Sequence, residues 1–137
     1  MTPELSLDGQ LWLLVDDDEM VLRVNNRFLS RRVTVLTATD GILGYDRLVG
    51  NPKIVGVITD YNMPELTGGD MLKKFQESHI NQYMSIAKVG ISGLGVSQFE
   101  THNLSGLETL AKPYSPKELF QAMYRALETR ARYLTKQ

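Results

Sequence analysis

Five apolar, β-prone segments alternate along this chain with segments in which apolar residues recur at helical spacing. This alternation constrains the fold strongly, because alternating strands and helices form a parallel sheet with helices on both faces. The predicted strands are Leu11 to Val15, Val33 to Ala38, Ile54 to Thr59, a segment ending near Ile91 and Ser92, and Leu107 to Ala111. The first strand is apolar at every position, which is typical of a strand buried on both faces.

The helices between these strands are predicted from their apolar spacing. They cover residues 19–31, residues 40–49, and Gly68 to about Ser78. In the first of them Met20, Val24, Phe28 and Leu29 lie close to helical spacing, and we expect the Met and Phe side chains of such stripes in the core.

The last two helical segments differ in how clearly the sequence marks them. Residues 93–106 have glycines at both ends and a thin apolar pattern, so we expect a weak helix at best. The final helix has a clear start, since Ser115 is suited to the N-cap and Pro116 to the first helical position. Glu118 completes a capping box with Ser115.

Composition narrows the class of protein further. The chain has 137 residues, a formal net charge of −1 and no cysteine, which excludes disulfides and thiolate chemistry. We therefore expect a single cytoplasmic domain over residues 11–130, with a lead-in at 1–10 and a tail at 131–137. The balanced charge and the short apolar runs argue against direct contact with nucleic acid or a membrane.

Polar residues follow four of the predicted strands at the point where each strand ends. They are Asp16 to Glu19, Asp60 to Asn62, Ser92 with Gly93, and Lys112 with Pro113. The carboxyl ends of parallel strands meet at one edge of a sheet, where ligands of open α/β folds bind. The sequence therefore predicts a polar site at this edge.

The predicted site combines several carboxylates with one lysine. Carboxylates held close together raise one another's pKa unless a cation neutralises them, and Lys112 supplies only one positive charge. Oxygen ligands without His or Cys favour Mg²⁺, which often carries a phosphate in its coordination shell. With Ser92 as a hydroxyl donor, such a site is suited to phosphoryl transfer onto an aspartate.

Four sequence landmarks occur in order at these strand ends. They are Leu14-Val15-Asp16-Asp17, Thr59-Asp60-Tyr61-Asn62-Met63-Pro64, Ile91-Ser92 and Lys112-Pro113. In these landmarks the chain resembles the receiver domain of two-component response regulators, from about Leu11 to the end of the last helix. The resemblance implies a flavodoxin-like (βα)5 fold, a doubly wound α/β domain whose five-stranded parallel sheet has the order 2-1-3-4-5.

The resemblance also implies roles for three residues in phosphorylation. Asp60 is the expected phosphorylation site, and its donor is a histidine kinase or a histidine phosphotransfer protein. Ser92 is expected to bond a phosphoryl oxygen after modification. Lys112 is expected to pair first with Asp60 and then with the phosphoryl group, and the Lys112-Pro113 bond is expected to be cis.

A Mg²⁺ site is implied by the same resemblance. Asp17 and Asp60 are expected to bind the ion through carboxylate oxygens, Asn62 through its backbone carbonyl, and Asp16 mainly through a metal-bound water. A downstream effector or a homodimer is a further expected partner. The resemblance leaves open whether the chain acts alone or within a longer regulator or hybrid kinase.

Three features depart from the usual receiver pattern. Thr109 stands where many receivers have an aromatic residue that turns inward on activation, so we expect any switch here to use other side chains. The weak segment 93–106 predicts a short or irregular fourth helix. Lys88 and Gly90 occupy positions of the fourth strand where apolar residues are more usual.

Three other functions remain as alternatives. A receiver-like docking module without phosphorylation fits the same fold, as does a Mg²⁺-dependent phosphohydrolase with an aspartate nucleophile. Those hydrolases typically carry a second aspartate two residues after the nucleophile, where this chain has Asn62. A flavin-binding domain is the least favoured, since no Ser/Thr-rich phosphate loop follows the first strand.

Overall fold

Strands and helices alternate in the predicted order among residues 6–93 and 97–136, which the computed structural model describes. The elements are β1 (Leu11–Val15), α1 (Glu19–Leu29), β2 (Thr34–Ala38), α2 (Gly41–Gly50), β3 (Ile54–Asp60), α3 (Gly68–Ser78), α4 (Ile80–Met84), β4 (Ala87–Ser92), α5 (Ser97–Glu100), β5 (Leu107–Ala111) and α6 (Pro116–Thr135). Leu7 is also buried in the core, and α6 extends into the predicted tail.

The five strands form one parallel sheet with the order β2-β1-β3-β4-β5. This order confirms the doubly wound α/β fold that the sequence predicts. Because β1 and β3 lie at the centre, their carboxyl ends are flanked by strands on both sides. The reversal of strand order between them creates the crevice in which such folds bind ligands.

Helices cover both faces of the sheet, and alternate side chains of β1 pack into the hydrophobic core on each face. Trp12 and Leu14 belong to the core beneath α1 and α6, whereas Leu13 and Val15 belong to the core beneath α2 and α3. The Trp12 ring fits because residue 56 is glycine, whose Cβ would lie 2.4 Å from that ring. The continuous apolar run of β1 therefore reflects burial on two faces.

The orientation of α1 differs from the predicted one. Met20 is 70% exposed and Val24 is 58% exposed, so the expectation that the Met of this stripe lies in the core is wrong. The helix instead buries Leu22, Asn25 and Leu29, which share one face at a spacing of three and four residues. Asp18 caps this helix by accepting hydrogen bonds from the backbone N–H groups of its first turn.

The short helix α4 is an element that the sequence analysis did not predict. Its Tyr83 is fully buried and donates a hydrogen bond from its hydroxyl to the Ser105 carbonyl at 2.8 Å. Lys88 of β4 lies under this tyrosine, with Nζ 2.8 Å from the Tyr83 carbonyl and 4.2 Å from the ring centroid. The unusual lysine in β4 is thus accommodated by a partner that α4 supplies.

Segment 93–106 is helical only in α5, as its thin apolar pattern predicts, while residues 94–96 lie outside the described part. Phe99 of α5 is buried over Gly90, where a Cβ would lie 2.7 Å from the phenyl ring. The glycine in β4 therefore makes room for this aromatic side chain.

The start of α6 confirms the predicted capping box. Ser115 accepts a hydrogen bond from the Glu118 backbone, and the Glu118 side chain accepts one from the Ser115 backbone. Within residues 6–93 and 97–136, we find no helix with an apolar stretch long enough to cross a bilayer.

Candidate functional site

Asp60 is the last residue of β3 and lies at the carboxyl edge of the sheet, 6% exposed. The Tyr61 N–H donates to the Ile91 carbonyl at 2.9 Å, which continues the β3–β4 pairing just beyond the carboxylate. On the other side Gly68 approaches so closely that a Cβ there would lie 2.1 Å from the Asp60 carbonyl oxygen. The backbone around Asp60 is therefore held from two directions.

Two further carboxylates follow β1 and lie next to Asp60. One oxygen each from Asp16, Asp17 and Asp60 lie within 4.8 Å of one another. Asp16 is buried and Asp17 is exposed, so the cluster extends from the interior to the surface. The structure thus brings together the three aspartates that the strand-end argument predicted.

Asp16 shows the electrostatic strain of this cluster. Burial, followed by the Asp60 and Asp17 charges, raises the pKa of Asp16 to about 6 despite the lowering effects of the Asp18 N–H and of Lys112. That N–H donates to Asp16 Oδ1 at 2.9 Å and fixes the carboxylate. The three carboxylates consequently favour a cation between them.

Lys112 reaches the cluster from the end of β5. Its Nζ lies 3.0 Å from Asp60 Oδ1, and its backbone N–H donates to the Ser92 carbonyl at 3.0 Å. Burial lowers the pKa of Lys112, but the hydrogen bond and the attraction to Asp60 outweigh burial and raise it above its ordinary value. The ammonium group is therefore charged beside Asp60, and the Lys112-Pro113 bond is cis, as expected.

Ser92 and Asn62 are linked to each other by a residue that the sequence analysis missed. The Ser92 hydroxyl donates to Gln98 Oε1, and Gln98 Nε2 donates to Asn62 Oδ1 at 3.4 Å. Gln98 lies in α5, six residues after Ser92. No local pattern distinguishes it from other polar residues of the weak segment, so only the folded chain reveals this contact.

A second missed pair borders the site on the α1 side. Asn25 Nδ2 donates to the Tyr114 hydroxyl at 2.9 Å, and burial raises the pKa of Tyr114. No sequence signal pointed to this pair, because the predicted apolar stripe of α1 does not include Asn25, whereas the structure buries this residue. This pair ties α1 to the loop that carries Lys112.

Each of the two histidines has a partner in the structure. His102 Nε2 lies 3.1 Å from Asp70 Oδ1, and its ring centroid lies 5.5 Å from that of Tyr61. His79 stacks on Phe75 and shares a hydrogen bond with Ser78 at 2.8 Å. Neither residue belongs to the carboxylate cluster, since their partners are Asp70 and Ser78.

The donor set of the cluster fits a small divalent cation. Carboxylate oxygens are hard ligands, and Mg²⁺ is usually held by one or two of them together with water. Asp17 leaves one side of the cluster open to solvent, so water and a further ligand have access. The structure therefore supports an acidic cation pocket at the edge of the sheet.

This fold and this pocket define a class of protein: single α/β domains that carry an acidic pocket and a lysine at the switch point of a 2-1-3-4-5 sheet. The chain belongs to the response regulator receiver domain family, which it matches over residues 12–124. It is accordingly a signalling domain of the two-component type.

Individual relatives cover most of the chain. A chemotaxis protein CheY homolog of Campylobacter jejuni is 31% identical over 120 residues, covering 85% of this chain and 92% of the relative. Chemotaxis protein CheY1 of Helicobacter pylori is 30% identical over 120 residues, covering 85% of this chain and 96% of that protein. A receiver domain structure from Clostridium thermocellum is 25% identical with a TM-score of 0.76, covering 89% of this chain and 97% of that one.

Proposed function

We propose that this domain accepts a phosphoryl group on Asp60 from a histidine kinase or a histidine phosphotransfer protein in the cytoplasm. The observation that carries the proposal is the Lys112 ammonium, 3.0 Å from a buried Asp60 carboxylate that two further aspartates flank. Phosphoryl transfer depends mainly on positioning and on charge neutralisation. The site offers both at one carboxylate.

The chain's own residues supply most of the transfer step. A carboxylate oxygen of Asp60 attacks the phosphorus of a phosphohistidine, forming a P–O bond while the P–N bond breaks and its electron pair returns to the imidazole. Lys112 pairs with the developing negative charge on the phosphoryl oxygens. Ser92 then donates its hydroxyl proton in a hydrogen bond to one of those oxygens.

The acidic pocket is the proposed Mg²⁺ site. Asp17 and Asp60 would hold the ion through carboxylate oxygens, Asn62 through its backbone carbonyl, and Asp16 through a bound water. When bound, the ion supplies positive charge that offsets the repulsion between the carboxylates and the incoming phosphoryl group. This division of roles agrees with the buried position of Asp16 and the exposed position of Asp17.

Intact mass after incubation with a small-molecule phosphodonor and Mg²⁺ tests the proposal. We expect a labile phosphoryl adduct on the wild type that is missing from Asp60→Asn and retained by Asp46→Asn, a matched change on the exposed surface of α2. A wild type without an adduct, or an adduct of equal yield on Asp60→Asn, would contradict the proposal.

A further inference from the structure

The Ser92 hydroxyl has one proton, and this limits what it can do in the two states of the site. In this structure the hydroxyl donates that proton to Gln98 Oε1. The proposed function requires the same hydroxyl to donate to a phosphoryl oxygen. A serine hydroxyl donates one hydrogen bond at a time, so the two bonds exclude each other.

Gln98 connects this hydroxyl to a longer piece of chain, residues 98–106, which we name the α5 segment. At its start Gln98 also donates to Asn62 Oδ1 at 3.4 Å, so both polar ends of its amide contact residues of the site. Phe99 follows, with its ring centroid 4.9 Å from that of Tyr61, the neighbour of Asp60. The beginning of the α5 segment therefore lies directly against the phosphorylation site.

The rest of the α5 segment is held against α3 by a small number of polar contacts. Gln76 Nε2 donates to the Asn103 carbonyl at 3.2 Å, and Gln76 Oε1 accepts from the Ser105 N–H at 2.8 Å. His102 adds the 3.1 Å contact with Asp70. Several of these groups are exposed, so each of these polar contacts contributes little to holding the segment.

Position 109 of β5 is a threonine in this chain, where many receivers have an aromatic side chain that turns inward on activation. The threonine is small, and beside it lies a cavity of about 330 Å³ that Phe99, Leu104 and Leu107 also line. No bulky side chain of β5 is present at this position to follow a movement of Ser92. Phe99, which belongs to the α5 segment itself, instead packs against Gly90 of β4 and against the Tyr61 ring.

We propose that Gln98 is the positioning residue through which phosphorylation acts: the Ser92 proton changes its acceptor from Gln98 to the phosphoryl group, and the α5 segment is released. This inference rests on the proposed function, since it requires a phosphoryl group on Asp60. No covalent bond changes in this step, and the proton stays on Ser92. The two states differ in the acceptor of one hydrogen bond and in the attachment of residues 98–106.

The coupling between the Gln98 hydrogen bond and binding at Asp60 acts equally in both directions. If binding at Asp60 breaks the Gln98 bond, then removing that bond in advance must favour binding at Asp60 by the same factor. A typical hydrogen bond corresponds to a factor of about three to ten. We therefore expect Gln98→Ala to speed amide exchange in the α5 segment by about three- to tenfold and to tighten binding of beryllofluoride, a phosphoryl analogue, by a similar factor.

The experiment measures hydrogen–deuterium exchange of residues 98–106 and beryllofluoride affinity in Mg²⁺ for four proteins. They are the wild type, Gln98→Ala, Gln98→Glu and the control Gln121→Ala, an equivalent change on the exposed face of α6. The analogue should speed exchange in the wild type and in Gln121→Ala, and add little in Gln98→Ala. Gln98→Glu keeps an acceptor for Ser92, so without the analogue its exchange should stay at or below the wild-type level.

Failure of this inference can be distinguished from failure of the proposed function. If the wild type binds the analogue but exchange of residues 98–106 does not change, the role of Gln98 is wrong and the phosphoacceptor function stands. Equal affinity of Gln98→Ala and wild type, or Gln98→Glu exchanging as fast as Gln98→Ala, would overturn the inference in the same way. If the wild type neither binds the analogue nor forms an adduct at Asp60, both proposals are overturned.

Discussion

The Nζ atom of Lys112 lies 3.0 Å from Oδ1 of Asp60, although the two residues are 52 positions apart in the sequence and belong to different strand ends. The contact depends on β4, which lies between their strands and whose Ser92 carbonyl accepts the Lys112 backbone N–H. The ion pair is therefore set by the register of the sheet. Among the residues that the structure describes, Lys112 is the only side chain that forms an ion pair with Asp60, so its removal leaves the three aspartates without that cation.

The first prediction concerns this ion pair. We expect Lys112→Ala to slow formation of the Asp60 adduct by about 100-fold, the usual effect of removing one charge-stabilising group from a reacting centre. The pKa of Asp16 should rise further, because Lys112 lowers it in the wild type. Intact mass over time measures the rate, and Lys117→Ala, an exposed lysine of α6, should react like the wild type.

The second prediction concerns the cation pocket. Mg²⁺ that binds only the folded chain should stabilise it by about 1.4 kcal/mol at a concentration about ten times Kd, which raises Tm by about 5 °C. Asp17→Asn removes an exposed carboxylate of the pocket and should abolish most of this increase. Thermal denaturation with and without Mg²⁺ provides the measurement. Asp46→Asn should keep the full increase, and an Asp17→Asn variant that also kept it would exclude Asp17 as a ligand.

The third prediction concerns the close approach of Gly68 to Asp60. A Cβ at position 68 would lie 2.1 Å from the Asp60 carbonyl oxygen, so Gly68→Ala must displace the strand end or the start of α3. We expect the free energy of unfolding to fall by about 2 kcal/mol or more, and adduct formation to fall with it. Gly50→Ala is the matched control, because a Cβ there meets no atom within 4 Å. Urea denaturation that showed equal stability for the two variants would contradict the geometry.

The fourth prediction concerns buried Lys88, which is 2% exposed. Burial lowers its pKa from 10.5 to about 8, so the unfolded chain binds more protons than the folded chain between these values. The contribution of Lys88 to the free energy of unfolding is therefore lowest below pH 8 and increases as the pH rises toward 10.5. Relative to Lys88→Met, the wild type should gain about 2 kcal/mol between pH 7 and about 9.5.

Urea denaturation at several pH values checks this gain, with Lys117→Met as the control for an exposed lysine. The range ends below pH 10 because burial raises the pKa of neighbouring Tyr83, and ionisation of the unfolded tyrosine would then reduce stability. A pH-independent difference between wild type and Lys88→Met would contradict a buried, titrating ammonium group.

Sequence patterns were sufficient for the strands and for the main residues of the site. The apolar runs marked β1 and β3 because burial on both faces of a sheet requires continuous apolar sequence, whereas the half-buried edge strand β5 was marked by its place in the alternation of strands and helices. Asp16, Asp60 and Lys112 followed from those strands, since the carboxyl ends of parallel strands meet at one edge. The start of α6 was equally local, because Ser115 and Glu118 interact within a single helical turn.

Helix orientation was harder to predict, as α1 shows. Met20 and Val24 fit a helical stripe, but the helix buries Leu22 and Asn25 instead. Periodicity reports that a segment is amphipathic, whereas the face that meets the sheet is chosen by competing contacts. Here the hydrogen bond between Asn25 and Tyr114 supports an orientation that hydrophobicity alone does not favour.

The sequence by itself determined the alternation of strands and helices, the positions of the acidic residues and the capping of the last helix, because these depend on neighbours within one element. Only the tertiary structure decided that Gln98 contacts Ser92 and Asn62, that His102 meets Asp70, and that α4 places Tyr83 over Lys88. These contacts join residues of different elements, and no periodic pattern in the sequence indicates that those residues meet. Their geometry is fixed by how the helices pack on the finished sheet.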